Sequence, residues 1–525
     1  MPDATDSNCQ RLRFLAHKSP MKLLSAIAGF LTLALAARAA LPQPDLIAQI
    51  HFAGAQKISA DPRSNSFTNE FCSAEALALR MQTANKLAGW LAGWLQTNLN
   101  SSVSDGPAKL RPLFEDLQTA EWFLEARVAP NGKPEVAIAI KLSAARTQLW
   151  QASLTPFFGA AAVKSTGGWL IFDSNPALLG LGNRLAQKIS MPSPPAWLDL
   201  DVNWPRLAQW HPLLKELGLP ETQFTVTASD NFFHIAGTFY FPENLALNLE
   251  PWRVPTNSIH TPFDSFTAVR GFASWFQAQS WAQPYQISPP PNQLFSWSLP
   301  FIPYQTYAAV PVANAVSTLS QLYSALVAST TGANARSEFM TPISPEMTNE
   351  EVNIAGVPFI GLKLRALSRP SGQFLYLEMF PNTGRSKPLP PELFQRLATK
   401  NLVYYHWEMT SNRVPQLLNL SQLALMTTRH KQLDAQSAAF EWLQKIGPTL
   451  ANTDTEITQS GPAEFTFARK APGVFTALEL YALANWLEAK NFPGCDLKLP
   501  PRRQRKPVVH SQPFQIITPA PVPGH

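Results

Sequence analysis

Two stretches of this 525-residue chain, 197–241 and 402–468, share the same order of predicted elements. Each begins with a strand, continues through helical sequence and ends in a hairpin whose apolar residues alternate with polar ones. In the first hairpin, Phe233, Ile235 and Phe239 fall on one face, because side chains alternate across a strand. This order predicts an α+β fold in which antiparallel hairpins pack with helices. Two related halves are one hypothesis that this order suggests, and the alternative is one continuous α+β sheet without a repeat.

The rest of the sequence divides around these stretches. We interpret 40–250 as the first half, 251–310 as a connection rich in proline and aromatic residues, and 311–499 as the second half. Three consecutive prolines, 289–291, interrupt any regular element within the connection. Residues 500–525 combine proline with a basic cluster and have no helical period, so we expect a disordered tail.

Residues 1–39 have the pattern of a secretory signal peptide. Lys22 follows Met21, an uncharged run extends from Leu23 to Ala37, and the triplet 37–39 is Ala-Arg-Ala. A basic start, a short apolar run and a small-x-small site are typical of such signals. We predict cleavage after Ala39, with Met21 as an alternative start and an uncleaved anchor as the alternative interpretation. The protein is then periplasmic or secreted from a bacterium, with no membrane span after cleavage.

The formal charge of +6 belongs to the two ends of the chain. Residues 1–39 contribute +3 and residues 500–525 contribute +4, which leaves −1 for 40–499. A neutral body has no basic field to attract nucleic acid. We therefore expect no nucleic-acid partner, and the predicted partner is an envelope component or a small ligand.

Two cysteines remain after cleavage, Cys72 and Cys495, near opposite ends of the body. An oxidising compartment would allow a disulfide between them. The alternative is two buried thiols, since cysteine is among the residues most often buried.

The helix predicted over 73–98 contains Gly89 and Gly93, and Trp90 and Trp94, at a spacing of four. This spacing stacks each pair on one helix face. We predict that the glycines pack tightly against another backbone inside the protein. A membrane dimer face is disfavoured because Lys86 interrupts the apolar segment.

Local motifs for catalysis or cofactor binding are absent from the sequence. It contains no G-x-S-x-G, H-E-x-x-H or G-x-x-x-x-G-K-[ST] pattern, and no two body histidines have metal-ligand spacing. We predict no cofactor and no metal, and the catalytic residues are unknown. Asp199 and Asp201, and separately His406 and Glu408, would share strand faces. Each pair could perform acid–base chemistry, or simply lie on a solvated strand face.

The connection 251–310 is the best candidate for ligand binding. Trp275, Trp281 and Trp297 offer flat faces that can stack on sugars or other apolar surfaces. The alternative is that these aromatic residues make a long connection rigid by packing on the sheet.

The chain resembles uncharacterised exported bacterial proteins with an N-terminal signal and a body of duplicated hairpin–helix units. The resemblance lies in the signal at 21–39, the opening Ile50-His-Phe-Ala-Gly54 and the strand Trp197-Leu-Asp-Leu-Asp201. It implies localisation and general build, and no activity.

The sequence therefore favours a non-enzymatic binding or interaction protein of the cell envelope. The alternative is a hydrolase that acts on an envelope or extracellular polymer through carboxylates such as Asp199, Asp201 or Glu408. Whether the protein is an enzyme stays open, with the balance against it.

Overall fold

A computed structural model of the protein describes residues 45–494, apart from short internal segments. Those segments are 100–104, 193, 211, 230–231, 257, 260–261, 280–281, 283–284, 286, 301–304, 336–341, 357–360, 380–388 and 428–435. The predicted signal peptide, the predicted tail, Cys495 and Trp281 lie outside the described residues.

The described chain forms one 18-stranded sheet with helices packed on it, which is an α+β fold. The strands are β1 (Leu46–Phe52), β2 (Trp122–Val128), β3 (Pro134–Lys141), β4 (Val163–Thr166), β5 (Trp169–Asp173), β6 (Leu198–Val202), β7 (Glu221–Ser229), β8 (Phe232–Tyr240), β9 (Ser265–Arg270), β10 (Gln293–Ser298), β11 (Thr306–Val312), β12 (Ser344–Thr348), β13 (Glu351–Ala355), β14 (Leu362–Arg369), β15 (Gly372–Met379), β16 (Leu402–Met409), β17 (Asn452–Gln459) and β18 (Glu464–Ala471).

The α-helices lie between these strands and after the last one. They are α1 (Ala55–Ala60), α2 (Asn65–Phe71), α3 (Ala74–Leu99), α4 (Gly106–Thr119), α5 (Ala144–Phe158), α6 (Leu181–Ile189), α7 (Trp204–Leu207), α8 (Pro212–Leu217), α9 (Ala273–Ala278), α10 (Ala315–Ala335), α11 (Pro391–Leu397), α12 (Thr410–Thr427), α13 (Ala438–Ile446) and α14 (Ala477–Glu488). In the described part of the chain, no helix combines the length and apolar content needed to cross a membrane.

Every strand pair is antiparallel, and the pairings follow one path through the sheet. The order is β4-β5-β3-β2-β1-β6-β7-β8-β18-β17-β16-β9-β10-β11-β15-β14-β13-β12. Strands β1–β8 form one set, and strands β9–β11 together with β14–β18 form a second set. If the strands of each set are numbered along the chain, both sets have the same strand order across the sheet. The hairpin β12–β13 is an addition to the second set, and the two sets meet where β8 pairs with β18.

The two faces of the sheet carry different residues. We call the side with Asp199, Ala236 and Ala468 the front face, and the side with Ile235 and Phe467 the back face. Most helices cover the back face, where Leu110 of α4 and Trp150 of α5 pack with Ile140 and Leu170. On the front face, α6 covers β2, β3 and β5, while α11 lies against β16.

The region 251–310 differs from the predicted connection. It contains β9, α9, β10 and the start of β11, and these strands pair inside the sheet. Phe266 on β9 and Phe295 on β10 are fully buried. Burial alternates along both strands, since Val269 and Ser296 on the back face are only half-buried. The prolines between the two strands obscured this pattern in the sequence.

The glycine face of α3 also differs from its prediction. Gly89 and Gly93 are exposed, and a Cβ added at either position would meet no atom within 4 Å. Trp90 and Trp94 are 49% and 48% exposed. The helix instead buries Ala88, Ala92 and Leu95 against α4 and α5.

Candidate functional site

A broad polar surface occupies the middle of the front face. It is formed by the front-facing side chains of β1, β6, β7, β8, β18 and β17, and we call it the polar floor. Neighbouring strands lie about 4.8 Å apart, so these six span about 24 Å. The helix α6 borders the floor on one side and α11 borders it on the other. A sheet floor between two raised helices has the shape of a shallow groove.

The centre of the polar floor is open. Ala236 of β8 lies directly opposite Ala468 of β18, and both are exposed. Thr225 and Thr466 flank this pair on the same face and are half-buried. Small side chains at the centre leave the backbone surface accessible to a flat or extended ligand.

His51 of β1 lies between two carboxylates beside this centre. Its Nε2 atom is 3.4 Å from Glu121 Oε1, and its Nδ1 atom is 3.9 Å from Asp199 Oδ2. Phe123 stacks on the imidazole, with 4.4 Å between ring centroids. Burial alone would lower the pKa of His51, but its interactions with Asp199 and Glu121 outweigh burial and raise the pKa. Asp199 also accepts a hydrogen bond of 2.8 Å from the Thr225 hydroxyl.

On the α6 side of the floor, a lysine lies near the carboxylates of β6. Leu181 and Leu185 of α6 are fully buried against the sheet, which fixes the helix in place. The same helix carries Lys188, whose charge acts on Asp199 and Asp201. Burial lowers the pKa of Lys188.

The α11 side is organised by one arginine. Arg396 lies 3.0 Å from Glu456 Oε1 and 3.7 Å from Asp454 Oδ2 of β17. Leu393 and Leu397 of α11 are buried in the core below. The carboxylates on this side of the floor therefore already have a cation.

Among the described side chains, those at one end of the floor are hydrogen-bond acceptors and neutral donors. Asp201, Glu221, Gln223, Tyr240 and Glu464 lie there on β6, β7, β8 and β18, and we call them the acceptor cluster. Glu221 and Glu464 lie on either side of Tyr240. Burial, and then the charge of Glu221, raise the pKa of Asp201 to about 6.

Asp199 and Asp201 share the front face, as their spacing predicts, and both are half-buried. They do not form one paired site. Asp199 joins His51 and Thr225, whereas Asp201 accepts from Gln223 Nε2 at 3.1 Å.

His406 and Glu408 lie together on the back face, away from the polar floor. His406 Nε2 is 3.2 Å from Glu408 Oε2, and the His406 Nδ1 atom contacts the Thr267 hydroxyl at 2.8 Å. Glu408 is 2% exposed and accepts hydrogen bonds from the Thr410 hydroxyl and from Ala477 N. Ala477 is the first residue of α14, so Glu408 satisfies a helix N-terminus. The geometry gives this carboxylate a part in holding the fold.

The tryptophans selected from the sequence occupy different environments. Trp275 on α9 is 42% exposed. Trp297 on β10 is 1% exposed and stacks on Tyr307 at 5.6 Å between centroids, because β10 is an interior strand whose front side is covered. Trp297 therefore packs in the core and presents no face to a ligand. Cys72 is exposed, and its predicted bridge to Cys495 stays a prediction.

Sequence reasoning missed His51, Gln223 and Tyr240 as parts of a surface. Their neighbours come from the long-range pairings β1–β6, β6–β7 and β8–β18. The local signal was the alternation of Asp199 and Asp201 with leucines along β6, and of polar with apolar residues along β7. Within the described residues, no group of three or more His, Cys, Asp or Glu side chains is arranged to hold a metal ion.

Comparison with known proteins adds no assignment to this geometry. No protein-family model, curated protein or solved structure matches the chain.

Proposed function

We propose that this protein is an exported binding protein of the cell envelope and that its ligand lies on the polar floor between α6 and α11. The observation that carries the proposal is the exposed pair Ala236 and Ala468 at the centre of a six-strand polar surface. An uninterrupted floor with polar groups on both sides can accept an extended ligand and fix its orientation by hydrogen bonds.

The experiment is a native mass spectrum of the protein exported by its own signal. We expect a bound molecule whose mass disappears on denaturation. Ala236→Arg and Ala468→Arg should each abolish retention, because an arginine side chain would fill the floor. Ala355→Arg is the matched control, since Ala355 is also an exposed strand alanine but lies on β13. Retention by all variants, or a bare wild-type protein, would reject the proposal.

The same spectrum tests export. The denatured mass should correspond to a chain that begins at Ala40, as the signal pattern at 21–39 predicts. A mass lower by two hydrogens than the reduced protein would indicate the bridge between Cys72 and Cys495.

We further infer that the two sets of eight strands arose by duplication. Equivalent strand pairings support this relation. In the first set, β1 pairs with β2 on one side and with β6 on the other, and in the second set β9 pairs with β10 on one side and with β16 on the other. Superposition of the two sets in an experimental structure tests it. Backbones that fail to superpose over the eight strands would contradict a common origin.

A hydrolase remains the second candidate, because His51 is held between Glu121 and Asp199. An imidazole with two carboxylates could relay a proton. Asp199→Asn should then abolish hydrolysis of an envelope polymer, while Glu243→Gln, on an exposed loop, should not. Equal turnover by the parent and the Asp199→Asn variant would reject this role.

A further inference from the structure

The acceptor cluster has an excess of negative charge that no described cation neutralises directly. Neutral donors serve all three of its carboxylates. Glu221 accepts from Asn203 Nδ2 at 2.7 Å, Asp201 accepts from Gln223 Nε2 at 3.1 Å, and Glu464 accepts from the Ser460 hydroxyl at 3.1 Å. Among the described residues, no Lys, Arg or His nitrogen lies within 4.0 Å of the Asp201, Glu221 or Glu464 carboxylate. On the other side of the same floor, Arg396 already contacts Asp454 and Glu456.

A second and independent feature is the amide of Gln223. This residue is 6% exposed, and its Oε1 atom is buried with no hydrogen-bond partner in the described structure. The other atom of the same amide is bonded to Asp201. Buried polar atoms are normally satisfied. Gln223 Oε1 can accept a hydrogen bond from a donor, and a positively charged donor would also neutralise the neighbouring carboxylates.

The electrostatics of the cluster favour the binding of a cation. Burial raises the pKa of Tyr240, and the charges of Glu464, Glu221 and Asp201 raise it further. Lys188 acts on Asp201 in the opposite direction, but burial and Glu221 outweigh it. A cation bound among these groups would oppose their mutual repulsion.

The spacing of the cluster argues for more than one positive group. Glu221 and Glu464 lie on strands separated by β8, so their backbones are about 9.6 Å apart. No set of three carboxylates in the described chain is close enough to surround a metal ion. Several cationic groups on one organic molecule match this separation better than a single ion.

We propose that the acceptor cluster binds an organic ligand with closely spaced ammonium or guanidinium groups. Nitrogen donors of such a ligand can satisfy Gln223 Oε1 and neutralise Asp201, Glu221 and Glu464 with charge-assisted hydrogen bonds. The proposal rests on the proposed function, because it names the chemistry of a ligand on the polar floor.

Two sources can supply this chemistry. One is the chain itself, which carries Arg502, Arg503, Arg505 and Lys506 beyond the described residues. The other is an external molecule. The test therefore uses the full chain and a tail-neutral variant in which these four residues are replaced by glutamine.

The probe is the blocked synthetic peptide Arg-Arg-Gln-Arg-Lys, and the measurement is its dissociation constant by calorimetry. We expect the tail-neutral variant to bind it. Adding Asp201→Asn and Glu221→Gln should weaken binding at least tenfold, and adding Glu464→Gln alone should weaken it by about threefold. Glu346→Gln, which changes an exposed carboxylate on β12, is the control and should leave affinity within twofold.

The comparison between chains identifies the source. If the native chain binds the peptide at least fivefold more weakly than the tail-neutral variant does, the tail occupies the cluster. Equal affinity indicates an external ligand, and the site proposal stands in either case. Absence of peptide binding to the tail-neutral variant, or equal binding after the carboxylates are replaced, overturns it.

The outcome is separable from that of the proposed function. Suppose that the wild-type protein retains a bound molecule, that Ala236→Arg loses it, and that the peptide does not bind. This result rejects only the cationic chemistry of the ligand. The single variant Glu464→Gln changes a half-buried side chain and keeps the test valid if the double variant fails to fold.

Discussion

Ala236 and Ala468 face each other across the antiparallel pair of β8 and β18, and both methyl groups are exposed on the front face. These strands are the last of the two strand sets, so the alanine pair lies where the two sets meet. Side chains on the back of the same strands, such as Ile235 and Phe467, are buried. The sheet can therefore keep its front centre open without losing the packing that stabilises it.

Asp201 should make stability depend on pH in the mildly acidic range. The pKa of Asp201 is about 6 in the folded protein, compared with an ordinary value of 3.8. Between pH 3.8 and pH 6, the folded state therefore binds more protons than the unfolded state. The free energy of unfolding then falls as pH rises from about 4 to about 6. Asp201→Asn should remove this slope and stabilise the protein at pH 7 by about 1 kcal/mol, which allows for solvent screening of a half-buried group. Denaturant titrations at several pH values measure the difference, and parallel curves for parent and variant would contradict it.

Glu408 should have the opposite dependence. Burial would raise its pKa, but hydrogen bonds from His406 and Ala477 N, together with the charge of His406, lower it below 4.5. Its contribution is present above the unfolded pKa and is lost as pH falls through the folded pKa. Glu408→Gln should cost about 2 kcal/mol at pH 7, and the difference should shrink toward pH 3. Glu243→Gln on an exposed loop should change stability by less than about 0.5 kcal/mol. A deficit that stays constant with pH would count against the assignment.

Arg469 and Glu479 form a buried ion pair between β18 and the first turn of α14. Two hydrogen bonds of 2.7 and 2.8 Å join them, and both side chains are less than 5% exposed. Arg469→Met should lower the free energy of unfolding by about 3–5 kcal/mol, because it leaves a buried carboxylate without its cation. Lys470→Met, at the next and exposed position, should cost less than about 0.5 kcal/mol. Similar losses for both variants would show that the pair has no special role.

Gly93 should be replaceable with a gain in stability. A Cβ there meets no atom within 4 Å, and alanine is a better helix former than glycine by about 0.5–1 kcal/mol. Gly93→Ala should therefore raise the thermal midpoint. Gly447→Ala is the control that should lower it, because its Cβ would lie 2.9 Å from Val414 Cγ1. A loss of stability in Gly93→Ala would mean that another backbone does approach this helix face.

Much of the fold was accessible from local pattern. Alternation predicted the hairpin of β7 and β8, and the helix predicted over 73–98 corresponds to α3. The strands β9 and β10 were missed, since each has only six residues and the proline-rich segment between them obscured their alternation. The α3 glycines were misassigned because spacing identifies a helix face but not what covers it.

The candidate site was less accessible for a physical reason. Asp199 and Asp201 could be placed on one face from their spacing alone. The residues around them could not be predicted in this way. His51 lies beside Asp199 because β1 pairs with β6, and Glu221 and Glu464 are brought near each other only because β8 lies between their strands. Strand order in an antiparallel sheet is a long-range property that a single sequence does not record locally. The same limit hid the role of Glu408, whose hydrogen bond to Ala477 N joins distant segments.

Covalent footprinting of the exported protein would show whether a ligand covers the polar floor. Lys470 on the polar floor and Lys109 on α4 are both exposed lysines, so an amine-reactive reagent can compare them in one sample. We expect Lys470 to be protected in freshly exported protein and to become reactive after the ligand is removed by denaturation and refolding, while Lys109 reacts equally in both states. Equal labelling of Lys470 before and after this treatment would contradict a ligand on the polar floor.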